Sequence, residues 1–244
     1  MTPPSTVLRA KIDLAGHALR HASGLLWRAP DPRGRYRDYL CATHMVIRAS
    51  VPLLLAASAR CAELGEPRLA GYLDRHAVEE AGHDDWLLED LALVDPAARE
   101  SLGRTPPPSV AALVGAQYYW VLHHHPVALL GYVAVLEGNA PSPGLLEHIE
   151  RNTGYPRAAF RTLWRHAALD PGHSEELNRL FDGLRPTREQ QTAVGVSALH
   201  TVRAAAALFR ELAETPSGAV AGAAGVTARA WGTPGRAAEG VPCT

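Results

Sequence analysis

Cysteine, net charge and alternating apolar patterns are all scarce in this chain, and each shortage argues against a class of protein. Cys41, Cys61 and Cys243 are odd in number, widely spaced and form no Cys-x-x-Cys pair. That usage points away from a disulfide framework and toward reduced thiols in an intracellular, cytoplasmic setting. With 24 basic and 25 acidic residues the formal net charge is -1. No basic field is available to hold nucleic acid or an anionic membrane, so neither is an expected partner. The first residues, Met1-Thr-Pro-Pro-Ser-Thr6, lack a basic stretch followed by an apolar run, and no secretory signal is expected. No segment alternates apolar and polar residues with β-branched enrichment, so no sheet is expected. There is also no internal repeat and no domain-sized linker.

What remains is 244 residues, 47% of them hydrophobic, enough to bury one substantial core. Residues from about 6 to 28 carry an amphipathic helical pattern closed by Pro30-Asp-Pro-Arg-Gly34. A second helix is expected from about Tyr36 to Leu64, kinked by Pro52. A third runs from about Pro67 to Leu93. After Pro106-Pro-Pro108, Ser109 is placed to cap a long apolar helix reaching Glu137. Its stretch from Ala111 to Leu136 has no formal charge apart from histidine. The triple His123-His124-His125, Pro126 and Glu137 nevertheless make a bare lipid-facing helix costly, so it reads as a buried central helix. A loop over Gly138–Gly144, a short helix from Leu145 to Arg151, a helix opened by Pro156 and a last helix from about Thr187 to Ala213 complete the pattern. The expected architecture is all-α with about seven helices in a single domain over residues 1–214. From Thr215 to Thr244 the chain turns to Gly, Ala, Pro, Ser and Thr, a tail expected to be disordered.

Chemistry concentrates in three places. His166-Ala-Ala-Leu-Asp170-Pro-Gly-His173 puts three metal-competent side chains at i, i+4 and i+7, and Asp170 and His173 fall within roughly 40° of His166 on a helix. On the third helix, His76-Ala-Val-Glu79-Glu80-Ala-Gly-His83 puts His76, Glu80 and His83 within about 60°, with Glu79 on the other flank of His83. Glu137 ends the apolar run Leu130-Gly-Tyr-Val-Ala-Val-Leu136. Each feature alone has a bland alternative: a polar stripe, a solvated acidic face or a helix end. Together they offer enough carboxylates and imidazoles for two metal ions. Bridging carboxylates without thiolates favour non-haem iron first and manganese second, whereas zinc usually takes fewer ligands. Pro171 removes a backbone donor and disfavours helix at Asp170, so this segment is expected to be mobile without metal and ordered by it. His44 reads as a buried histidine, His17 and His21 as a solvated pair, and His123 to His125 as projecting in different directions. Tyr118, Tyr119, Trp120 and Tyr132 are expected to wall the core or a substrate pocket.

The motifs His76-xx-Glu79-Glu80-xx-His83-xx-Trp86, Gly131-Tyr132 leading to Leu136-Glu137-Gly138, and His166-xxx-Asp170-xx-His173 resemble those of the heme-oxygenase-like diiron oxidases and oxygenases, a group of iron-containing redox enzymes. The likeness covers about residues 36 to 185. It implies a seven-helix heme-oxygenase-like bundle, two Fe(II) ions between core helices, and O2 as cosubstrate. It also implies oxidation of a small molecule such as an amino acid or fatty acid, by N-oxygenation, desaturation, C–C cleavage or decarboxylation. His83, Glu137, His166, Asp170 and His173 match the family's ligand positions. Some relatives carry a glutamate seven residues before the first histidine, where this chain has His76. Others use the position three before it, here Glu80, and which residue completes the site stays open among His76, Glu79 and Glu80. A metal-independent oxidase of the quinone-cofactor-synthase type, and a binding protein without turnover, are the alternatives. A homodimer is compatible with the sequence.

Overall fold

The computed structural model describes residues 2–97, 100, 102–103 and 105–217. Every regular element among them is helical. Helix α1 spans Pro4–Arg28, and its first turn is held by the Asp182 carboxylate, which accepts from the Ser5 amide at 2.8 Å and the Ser5 hydroxyl at 2.7 Å. An acceptor there satisfies amides that have no partner within the helix. Helix α2 spans Pro32–Ile47, with Asp31 accepting from the Gly34 amide, and α3 spans Ser50–Glu63. The kink expected from Pro52 falls at Arg48–Ala49, where the backbone stays in the right-handed helical region, because proline has no N–H to return to the Arg48 carbonyl.

The expected third helix is also divided. Helix α4 covers Pro67–Glu80 and α5 covers His83–Val94, separated by an extended Ala81 and by Gly82 at φ 85°. A left-handed residue ends a helix, and glycine adopts that conformation without a Cβ penalty.

The long apolar helix expected to reach Glu137 is likewise two. Helix α6 spans Pro108–His123, a 3-10 turn covers Pro126–Ala128, and α7 spans Leu129–Glu137. Pro126 cannot continue the ladder, and the His125 ring instead accepts from the Val127 amide at 3.1 Å. Pro107 occupies the cap position foreseen for Ser109, whose buried hydroxyl makes no hydrogen bond among the described residues. Helix α8 spans Pro143–Thr153, a 3-10 turn covers Arg157–Phe160, α9 spans Arg161–Leu184 and α10 spans Arg188–Glu214. Thr187 and Gln190 form a reciprocal capping box at the start of α10. With α2 running into α3 and α4 into α5, these segments make eight rods among the described residues, against about seven expected. Residues 218–244, most of the expected disordered tail, lie outside the described residues.

Helix α10 is the spine. It runs along α1 and crosses α7 and α6, and α7 in turn rests on α9. At the α7–α10 crossing a Cβ on Gly131 would lie 2.2 Å from the Val194 carbonyl oxygen and 2.7 Å from the Ala198 nitrogen, so only glycine lets the two backbones meet. A second apolar cluster lies under α2, α5 and α8, where Tyr36 stacks on Phe160 at 4.3 Å and donates to the Ala159 carbonyl at 2.7 Å. Buried Asp90 on α5 accepts from the Thr162 amide at 2.8 Å and so fixes the start of α9.

Candidate metal centre

Three helices deliver the polar side chains to one place in the core. The apolar run of α7 buries that helix and leaves Glu137 at its C-terminal end facing inward, its side chain 9% exposed. His76 Nε2, from α4, lies 3.0 Å from Glu137 Oε1, and His173 Nδ1, from α9, lies 3.6 Å from the same oxygen. The donor atoms of His76, Glu137 and His173 all fall within 4.8 Å of one another. The two imidazoles meet edge to face with ring centres 5.5 Å apart. Glu79 sits behind them, its Oε2 3.5 Å from His76 Nδ1 and 3.9 Å from His173 Nε2. It therefore faces the nitrogen of each ring that points away from Glu137, the position from which a carboxylate fixes a histidine's orientation and tautomer.

A second group lies alongside. His83 opens α5 and Glu80 closes α4, with His83 Nδ1 3.4 Å from Glu80 Oε2. On α9, His166 Nδ1 lies 3.2 Å from Asp170 Oδ1, and the His166 ring meets that of His83 edge to face at 4.9 Å. Trp86 stacks on His83 at 4.1 Å, and the Arg165 guanidinium covers Trp86 at 4.4 Å. Tyr72 stacks on His76 in the first group, nearly parallel at 5.6 Å.

All seven residues expected as ligands, His76, Glu80, His83, Glu137, His166, Asp170 and His173, are thus brought together, but in two groups. The α9 stripe is divided between them: His166 and Asp170 belong to one group and His173 to the other. His76 and His83 do not share a helix face as their spacing had suggested, because Gly82 redirects the chain between them.

The donor atoms fit metal ions better than they fit one another. Both oxygens of Glu137, His83 Nδ1, His166 Nε2 and His173 Nδ1 are buried without a hydrogen-bond partner among the described residues. The Glu137 oxygen is within 3.0 Å of His76 yet off the line of its N–H. Unsatisfied buried polar atoms each cost about 1–3 kcal/mol, and the ligand atoms of His76, Glu137 and His173, within 4.8 Å of one another, are placed to share a cation. Imidazole with carboxylate and no thiolate suits iron or manganese.

Charge is balanced within the cluster. Burial alone would push the His76 imidazole down, but Glu137, Glu80 and Glu79 outweigh it and hold its pKa above the usual histidine value. Burial opposes protonation of His166 as well, and Asp170, Glu80 and Glu137 again carry it upward. Burial would raise Glu80, but His83, His166 and His76 bring it below the usual carboxylate value. For Glu137 burial wins over His76 and His173, and its pKa is raised. Protons on these imidazoles stand where cations would go.

The cluster forms one side of a cavity of about 830 Å³, to which His76, Glu80, Glu137, His166 and Asp170 contribute, while His83 and His173 stand behind its wall. Most of the remaining lining is apolar, including Leu53, Leu54, Val133, Leu208 and Phe209. Of the four aromatic residues expected to wall the core or a pocket, Tyr132 lines both and Tyr118 packs against the core, while Trp120 is half-buried and Tyr119 is 61% exposed on α6. His44 is buried with its Nδ1 unpartnered, burial pushes its pKa down, and it does not reach the cavity. His17, His21, His123 and His124 are exposed, and His125 pairs with Glu66 at 3.2 Å. Sequence reasoning missed the double contact of Glu79, for which its place three residues after His76 was the available signal. It also missed the contribution of α1 to the cavity wall, for which there was none.

A family model described as iron-containing redox enzyme matches residues 37–206, well over half of the chain. A crystal structure from Shewanella denitrificans OS217, a domain of unknown function with a heme oxygenase-like fold, superposes with a TM-score of 0.76 at 20% identity, covering 85% of this chain and 90% of that one. A TenA homolog from Pseudomonas syringae pv. tomato DC3000 superposes with a TM-score of 0.61 at 15% identity, covering 86% and 93%. At these identities the likeness is one of fold. No curated protein matches the chain.

Proposed function

The chain belongs to the iron-containing redox enzyme family, and from that premise we propose that it is a non-haem oxidase or oxygenase that holds two Fe(II) ions and uses O2 to oxidise a small organic molecule in the cavity. The observation that carries this reading is the set of buried ligand atoms that α5, α7 and α9 leave without a hydrogen-bond partner among the described residues: His83 Nδ1, both Glu137 oxygens, His166 Nε2 and His173 Nδ1. His76, Glu137 and His173 would hold one ion through two imidazoles and one carboxylate, a ligand set suited to iron. His83, His166, Asp170 and Glu80 hold the other. Bound Fe(II) supplies the electrons and the coordination positions that O2 chemistry needs.

The protein's own part is placement and exclusion. Glu79 keeps His76 and His173 turned toward Glu137, and Trp86 and Tyr72 restrain the His83 and His76 rings by stacking. Glu137, buried at the end of α7 beside His76 and His173, would give the carboxylate of the first group. The apolar lining keeps bulk water from the substrate side of the cluster. The buried thiols of Cys41 and Cys61 support an intracellular setting.

The test is O2 uptake by protein loaded anaerobically with Fe(II), screened against aliphatic carboxylic acids and amino acids, with and without a chelator. Uptake that requires iron and is accelerated by a substrate is expected. Oxidation that survives exhaustive chelation would instead establish a metal-independent oxidase, and iron binding without uptake on any substrate a binding protein.

A further inference from the structure

Helix α6 presents a face that the rest of its own chain leaves bare. Pro108, Ala112, Gly115, Tyr119 and Leu122 follow one another at steps of four and three, the spacing of a seam along one side of a helix, and all of them are exposed. The cavity lies on the other side, where α6 contributes Leu113. From Thr105 to Leu136 the sequence has no Asp, Glu, Lys or Arg, so the stripe lacks the charges that ordinarily solvate the outer side of a helix. Beside it on α10, Val196 and Leu199 are exposed, and His200 Nε2 lies 3.4 Å from the Ala112 carbonyl oxygen. The Tyr119 ring is already held in place, edge to face with Trp120 at 5.9 Å and 5.2 Å from His123. The apolar patch these side chains make is roughly 500 Å², toward the upper end for the largest such patch on a monomer.

Side-chain size is graded along the stripe, small at Ala112 and Gly115 and large at Tyr119 and Leu122. A Cβ on Gly115 would meet nothing within 4 Å, so no neighbour inside the chain calls for glycine there, although glycine weakens a helix. We propose that two copies of this chain pair through α6, antiparallel, about a two-fold axis at Gly115. In that register Gly115 faces its own copy, Ala112 faces the partner's Tyr119, and Pro108 faces the partner's Leu122. Two features select a second copy over an unrelated protein. A two-fold contact sets groups near the axis against their own copies, where any charge would meet a like charge, and this stripe carries none. Such a contact also needs one surface to complement itself, and a stripe small at one end and large at the other does so when reversed. Antiparallel helices further bring opposite dipole ends side by side. Two such patches bury on the order of 1,000 Å², the low end for a specific interface, which fits a dissociation constant of roughly 1–50 μM.

Sedimentation velocity of the full-length protein, from roughly 1 to 200 μM so as to span that constant, tests this. The parent protein passes from monomer to dimer across the range. Tyr119→Glu puts a charge against the apolar face and weakens association about thirtyfold. The Ala112→Lys/Tyr119→Glu double variant recovers about tenfold of that loss, because each new charge then faces its opposite across the axis, whereas within one helix the two positions lie two turns apart and do not pair. Gly115→Gln, whose side chain has free space in its own chain, melts at or above the parent temperature in dilute solution yet also dissociates the pair. Protein that stays monomeric over the whole range overturns the proposal. A dimer that Tyr119→Glu and Gly115→Gln leave intact rests on another face and overturns it too. Dissociation by Tyr119→Glu without recovery in the double variant overturns the antiparallel register. A monomer that instead floats with phosphatidylcholine vesicles gives the face to a lipid surface and overturns the proposal as well.

Discussion

Gly131→Ala is the substitution that most directly couples the fold to the site. The added methyl would stand 2.2 Å from the Val194 carbonyl oxygen and 2.7 Å from the Ala198 nitrogen. Both neighbours are backbone atoms of α10, so no rotamer change relieves the clash and α7 has to move away. Overpacking of this kind costs about 1–3 kcal/mol, and relief by moving a whole helix puts it at the upper end. Alanine returns about 0.5–1 kcal/mol in helix propensity, leaving a net loss of about 2 kcal/mol. For a domain of this size that lowers Tm by about 4–8 °C. Gly115→Ala on α6 is the matched control, since its methyl meets nothing within 4 Å. It raises Tm by about 1–4 °C. Glu137 lies on the displaced helix, so Gly131→Ala also weakens metal retention on dialysis, whereas Gly115→Ala does not. Calorimetric melting of the metal-free proteins and metal analysis after dialysis read both effects. A Gly131→Ala protein that melts at or above the parent temperature would refute the close approach of α7 and α10.

Three further outcomes follow from the cluster. His76→Ala, Glu137→Gln and His173→Ala each abolish or weaken one metal equivalent, while His83→Ala, His166→Ala and Asp170→Asn affect the other, as read by metal titration; loss of the same equivalent by both sets contradicts the two groups. The raised pKa values of His76 and His166 stabilise the metal-free fold fully below the unfolded histidine value of about 6.5, and that contribution is lost as pH rises through their folded values. Raised Glu137 acts in the same direction, while lowered Glu80 contributes above the usual carboxylate range and loses its effect only in acid. Denaturant melts should therefore show metal-free stability falling as pH rises above about 6.5 and metal-loaded stability holding or rising, because metal requires deprotonated imidazoles; parallel slopes would contradict this. Finally, α9 continues through Pro171, which leaves the Ala167 carbonyl without its helical donor. Amide exchange over Ala167–His173 should slow when Fe(II) is added, and unchanged exchange would separate this segment from the metal site.

Helices were legible where proline and periodicity coincide. Pro4, Pro32, Pro67, Pro108 and Pro143 all stand in the first turns of helices, where a missing N–H costs nothing. Breaks inside apolar runs were harder. Gly82 follows a residue pattern that a continuous helix would also produce, and its left-handed conformation after the extended Ala81 separates His76 from His83. Pro126 sits in a charge-free stretch that reads as one buried helix until the His125 ring takes over the Val127 amide. The donor types on α4, α5, α7 and α9 were apparent from spacing, and the resemblance to a known family supplied their expected role. Their division into two groups was not apparent, because it depends on how α4, α7 and α9 dock rather than on any local period. The open choice among His76, Glu79 and Glu80 is one example: His76 and Glu80 face the cavity in different groups, and Glu79 supports two rings from behind. Arg20 and Arg28 reach the cavity only because α1 lies along α10, a long-range contact that no segment of sequence announces.

The central claim is a two-ion centre built from these seven side chains. Anaerobic titration of the metal-free full-length protein with Fe(II), followed by Mössbauer spectroscopy of the loaded sample, tests it most directly. Two equivalents are expected to bind per chain, giving two distinguishable high-spin ferrous environments. Saturation at one equivalent, or none retained, would contradict it.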